Sequence, residues 1–177
     1  MKLVLERTTI NKALSDYNER LAQIPDNRFK VTPSSGGWSY AEVYAHILKT
    51  SIGITEAINQ CVKKQLPASK KGLSIIGMLM LGFERFPPFK VKQPKEIGGR
   101  FIVDKISKLE AFTLLDKLKT NLNDLAEKVV AADPQYRFKH PRMGMLNAQQ
   151  WYKFIRIHML HHLKQLDRID KDFSSVR

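Results

Sequence analysis

The chain has 177 residues, 43% hydrophobic and 27% charged, with one cysteine and a formal net charge of +13. That size suits one domain, spanning 1–177, around a single core. A lone Cys61 rules out an intrachain disulfide and fits a reducing compartment, and the start, MKLVLERTTI, meets charges too soon for a secretory signal, so a cytoplasmic protein is expected.

The charge is unevenly spread. Residues 61–108 carry 11 basic against 3 acidic side chains, whereas residues 1–60 carry 7 against 6. A field of that sign favours an anionic small molecule, a nucleic acid or a membrane surface, and it also describes an ordinary lysine-rich surface. The longest apolar stretch, Leu73 to Phe83, is shorter than the ~20 residues a membrane-spanning helix needs.

Taken in order, the first helix is expected from about Lys2 to Ala22. Leu3, Ile10, Leu14, Tyr17, Leu21 and Ile24 lie along one side, and Pro25 stops it. An irregular link rich in proline, serine and glycine follows to Gly37. A second helix begins at Ser39, where Ser39 and Glu42 form the S-x-x-E capping box and Trp38 occupies the stapling position. It runs to about Gln65 with Tyr44, Ile47, Ser51, Ile54 and Ile58 inward, and His46 falls at the edge of that stripe.

From Ala68 to Phe101 the pattern is least regular. Lys70 and Lys71 precede GLSIIGMLMLGF, a short helix, and then a proline- and lysine-rich stretch that reads as a cover across one end of a bundle or as an interaction surface. Asp104 is expected to cap a third long helix reaching about Ala131, with Ile106, Leu109, Phe112, Leu122, Leu125 and Val129 at the 3.6-residue period. No stretch shows strand alternation. The class is therefore all-α: a four-helix bundle with an extra short helix and an irregular basic insertion between the second and third long helices.

The last helix carries the chemistry. Asn147 is a good N-cap, and Gln150 stands three residues on, where a capping partner belongs. Trp151, Ile155, His158, His162, Gln165 and Ile169 then share one face. The aromatic at its start says the face points inward, so two imidazoles lie inside, one turn apart. His161 falls about 100° round the helix and is expected at the surface. With His46 they make three candidates for one metal site. Neutral imidazole is the commonest protein ligand for transition metals, and three protein ligands leave a position open for chemistry. The bland alternative is three core histidines, each bonded to a neighbour, although burying imidazoles without polar partners is costly.

Other sites are excluded or weak. Met159 follows His158, so this is not the H-E-x-x-H zinc-protease helix, and no glutamate lies three residues before any histidine, as carboxylate-bridged di-iron bundles require. There is no glycine-rich phosphate loop and no C-x-x-C, and Cys61 reads as a small core residue. Glu42 and His140 are weak catalytic candidates. Glu42 also serves as the capping-box acid, and His140 also suits a loop-fixing hydrogen bond. Trp38 and Trp151 read as packing residues, with a pocket wall as the lesser role.

Two segments, GWSYAEVYAHILKTS around His46 and HPRMGMLNAQQWYKFIRIHMLHHLKQL around His158 and His162, together resemble the DinB-like superfamily of bacterial four-helix proteins. In that family a tryptophan opens the second helix, a histidine follows within it, and a His-Pro-x-x-Gly loop leads to a helix bearing H-x-x-x-H. The resemblance covers essentially the whole chain. It implies an up-down-down-up bundle with a divalent metal held by His46, His158 and His162, zinc or nickel first, iron or manganese next. It also implies activation of water or a low-molecular-weight thiol, as in hydrolases, thiol S-transferases and a thiol-dependent isomerase. The basic middle would favour a small anionic substrate, and a homodimer is the family-like expectation. A different class is a non-catalytic module using the basic 63–108 surface on anionic partners. Nucleic acid ranks low there, because no helix-turn-helix or single-strand-binding signature is present.

Overall fold

The computed structural model describes residues 2–86 and 103–175. Four long helices account for most of it: α1 (Lys2–Gln23), α3 (Tyr40–Val62), α5 (Lys108–Val130) and α6 (Ala148–Ser175). A four-residue turn of helix, α2 (Asp26–Phe29), follows α1, and the short α4 (Ile75–Phe83) follows α3.

Contacts between named residues fix how the helices run. Tyr17 donates its hydroxyl hydrogen to the Met159 carbonyl at 2.8 Å, Arg156 pairs with Glu6, and Arg20 pairs with Asp167 at 2.5 Å, so α1 and α6 are parallel. Tyr40 reaches Asp170 at 2.5 Å while His46 faces His158, so α3 runs against α6. Lys49 pairs with Glu110 at 3.6 Å and Asn121 bonds Thr55 at 3.1 Å, so α3 and α5 are parallel. The result is up-down-down-up. The core between them holds Ile10, Leu21, Tyr44, Leu48, Leu118, Leu125, Ile155 and Leu166, all buried. Two of its tyrosine hydroxyls are satisfied by backbone, Tyr17 by Met159 and Tyr44 by the Tyr17 carbonyl at 2.9 Å. That avoids the cost of an unpaired buried hydroxyl.

Local signals in the sequence set the helix starts. Ser39 caps α3, with Glu42 closing the box: its carboxylate accepts from the Ser39 amide at 2.8 Å. Asn147 and Gln150 form the same reciprocal pair before α6, at 3.0 and 2.9 Å. The third long helix differs from expectation. Asp104 lies outside it, and Ser107 is the cap, accepting from the Glu110 amide at 3.0 Å. Ser107 and Glu110 repeat the S-x-x-E spacing, whose acidic partner Asp104 lacks.

The expectation of no strands also fails. Arg137–His140 (β1) and Gly144–Asn147 (β2) form an antiparallel hairpin just before α6. Four residues per strand are too few for period-two alternation to register. Gly144, at φ +85°, makes the turn possible, and a side chain there would strike the backbone of residues 72–74. The segment leading to α4 lies beside this hairpin, with Ala68 bridging Tyr136 and Leu73 bridging Gly144. The expected cover thus begins as a rim on the hairpin. Its 87–102 portion lies outside the described residues.

Candidate metal centre

Two helices and one spacing rule assemble the site. His158 and His162 are four residues apart on α6, and His46 lies about two turns past the capped start of the antiparallel α3. Their ring edges converge. The Nε2 of His158 stands 3.2 Å from that of His46 and 3.0 Å from that of His162. One ligand atom from each of the three can be chosen within 4.8 Å of the others. His158 and His162 are buried and His46 is partly buried.

The protonation of the cluster follows from its surroundings. The Oε1 of Gln165 is 2.8 Å from the Nδ1 of His162 and can only accept, so the His162 proton sits on Nδ1 and its Nε2 lone pair faces the other rings. Burial pushes His46 down to about 4, aided by His161, and His162 down to about 3, aided by His46. His158 is held well below the ordinary imidazole range, first by burial and then by His162 and His46. All three rings are neutral at physiological pH, the form that donates to a cation.

This donor set fits a divalent transition ion. The Nε2 of His158 can carry at most one proton, yet two ring nitrogens face it at hydrogen-bonding distance. A cation drawing on all three lone pairs satisfies the three facing nitrogens at once, and its imidazole set suits zinc, nickel, copper or iron. Three ligands also leave room for a further one. Gln165 gives His162 the outer hydrogen bond that metal-binding histidines usually have, fixing tautomer and orientation.

Aromatic rings wall the cluster. Trp38 lies 5.1 Å from His46 and is nearly parallel to His162, at 8° and 6.4 Å between centroids. Phe154 stacks on His158 at 5.6 Å, and Phe86 lies 5.7 Å from it. Trp38 therefore lines the site, while Trp151 packs in the core against His140 and Phe138. His161 is half-buried rather than at the surface, because Phe86 covers it at 4.4 Å.

The two other candidates are placed elsewhere in the hydrogen-bond network. Glu42 accepts from the Ser39 amide and, at 2.6 Å, from its hydroxyl. His140 accepts at Nδ1 from the amides of Arg142 and Met143, both at 3.1 Å, and so fixes the hairpin turn. Gln165, Phe86 and Phe154 are the contributors that motif reasoning passes over. For Gln165 the available signal is its i+3 spacing from His162.

The sequence profile of the DinB superfamily matches residues 9–166. The chain belongs to the DinB superfamily. No curated protein matches it. Among solved structures it is similar to TT2238, described as a four-helix bundle protein, with TM-score 0.59 and 18% identity over 94% of this chain and 98% of that one. At that identity the likeness speaks for the fold, and the DinB bundle and the up-down-down-up arrangement agree. No helix among the described residues is long and apolar enough to cross a membrane.

Proposed function

We propose that this DinB superfamily member is a metal-dependent enzyme that acts on a small electrophile with water or a low-molecular-weight thiol. His46, His158 and His162 would hold a divalent ion, zinc or nickel first. The observation that carries the reading is the convergence of three imidazoles, two buried and one partly buried, from two antiparallel helices. When bound, such an ion supplies Lewis acidity that brings the pKa of a coordinated water or thiol toward neutrality.

The chain's own residues do the rest. His162 is oriented by Gln165. Trp38, Phe86 and Phe154 keep bulk water from the rings, which strengthens every electrostatic interaction inside. Glu42 serves the α3 cap and His140 the hairpin turn, so we assign proton transfer to neither.

The test is metal analysis of wild type and His158→Ala after exposure to zinc and nickel. It is joined to turnover of an activated ester and of an aryl halide with a panel of cellular thiols. We expect one ion per wild-type chain, little in the variant, and turnover that chelation removes and the ion restores. Equal metal in both proteins would overturn the reading.

A further inference from the structure

Next to the three histidines a cleft of about 230 Å³ opens between the loop before α3 and the exposed side of α6. Pro33, Trp38 and Ile169 give it apolar walls, and Gln165 and Arg168 give it polar ones. Two of these residues belong to the site already described: Trp38 lies against His46 and His162, and Gln165 holds the His162 ring. The cleft therefore shares two wall residues with the cluster.

Its charge is distinctive. Arg168 is exposed and forms no ion pair or hydrogen bond among the described residues, although acidic side chains stand nearby on the same helix. Asp167 and Asp170 pair with Arg20 instead. The Asp172 carboxylate is turned to the loop, accepting from the Ser34 amide at 2.8 Å and the Ser35 amide at 3.2 Å. Those bonds fasten the loop, with Gly36 and Gly37 at positive φ, to the helix that carries two of the histidines. A guanidinium left unpaired beside an indole and an aliphatic wall matches a carboxylate attached to a short apolar body.

We propose that this cleft binds the carboxylate end of a small organic acid, with Arg168 as the anchor and Trp38 as the platform, directing the other end toward His46, His158 and His162. This rests on the metal-site reading for its catalytic meaning and narrows the substrate, or the thiol cofactor, to a carboxylate. Carboxylate recognition itself needs no metal.

The test follows the Trp38 indole N–H by NMR in isotope-labelled protein, both zinc-loaded and chelator-treated, with benzoate and uncharged benzamide as probes. A Trp38→Phe sample identifies the resonance. Benzoate should shift it saturably in both preparations, and benzamide should bind about tenfold more weakly. Arg168→Gln should weaken benzoate about tenfold and leave benzamide unchanged, with Arg168→Lys in between. Benzoate binding equal in Arg168→Gln and wild type, equal binding of the two probes, or no saturable shift in either preparation would overturn the proposal. If the zinc-treated wild type takes up no metal while benzoate still binds through Arg168, the metal reading alone fails.

Discussion

Gln165 offers the sharpest test of how the site is held. Its Oε1 accepts from the Nδ1 of His162 at 2.8 Å, and that one bond sets both the tautomer and the ring angle. In Gln165→Leu the imidazole keeps its packing against Trp38 but loses its acceptor. Its proton is then free to move to Nε2, where it blocks the donor atom. Losing such an outer hydrogen bond costs roughly 10–100-fold in metal affinity, or about 1.4–2.7 kcal/mol. Gln165 is half-buried but His162 is buried, so loss of the acceptor should also cost the metal-free protein about 1–3 kcal/mol in thermal melts. Gln165→Glu keeps an oxygen acceptor and should match or exceed wild type. The assay is competition for zinc against a chromophoric chelator at pH 7. A Gln165→Leu affinity within twofold of wild type would show that His162 is positioned without this bond.

Further expectations follow from the same geometry. Chelator-treated protein should lose stability as pH falls below 6.5. The unfolded imidazoles take up protons there, whereas His46 and His162, pushed down to about 4 and about 3, do not. The loss should be about 1.4 kcal/mol per pH unit for each ring that stays neutral, read from urea midpoints between pH 7 and pH 5, with no change from these groups above pH 7. Gly77→Ala should destabilise by about 1–3 kcal/mol in thermal melts, because the new methyl group meets the Met143 backbone, while Gly82→Ala in the same helix meets nothing and should be neutral or slightly stabilising. The Cys61 thiol, which burial pushes up to about 11, should resist a disulfide reagent at pH 8 until the chain is unfolded.

Much of this arrangement was legible in the sequence because it is local. The pairs Ser39–Glu42 and Asn147–Gln150 announce two helix starts, and each closes as its spacing implies. The face shared by Trp151, His158, His162 and Gln165 follows from helical period alone. What period cannot supply is the partner across the bundle. His46 stood at the edge of its stripe, and only the register of α3 against α6 brings it to His158. The hairpin escaped because its strands are short and its turn depends on Gly144 packing under residues 72–74. The α5 cap was misplaced because Asp104 and Ser107 are both good caps, and only Ser107 has an acidic partner three residues on. Phe86 gave no signal, since covering His161 is a long-range contact from an irregular segment.

The antiparallel pairing of α3 with α6 has a mechanical corollary. Two donors ride on one rod and the third on its neighbour, so sliding the rods by a single helical turn, about 5.4 Å, would carry His46 out of reach. An ion seated there would act as a detent, locking the bundle's alignment at the end where the chemistry is proposed to occur.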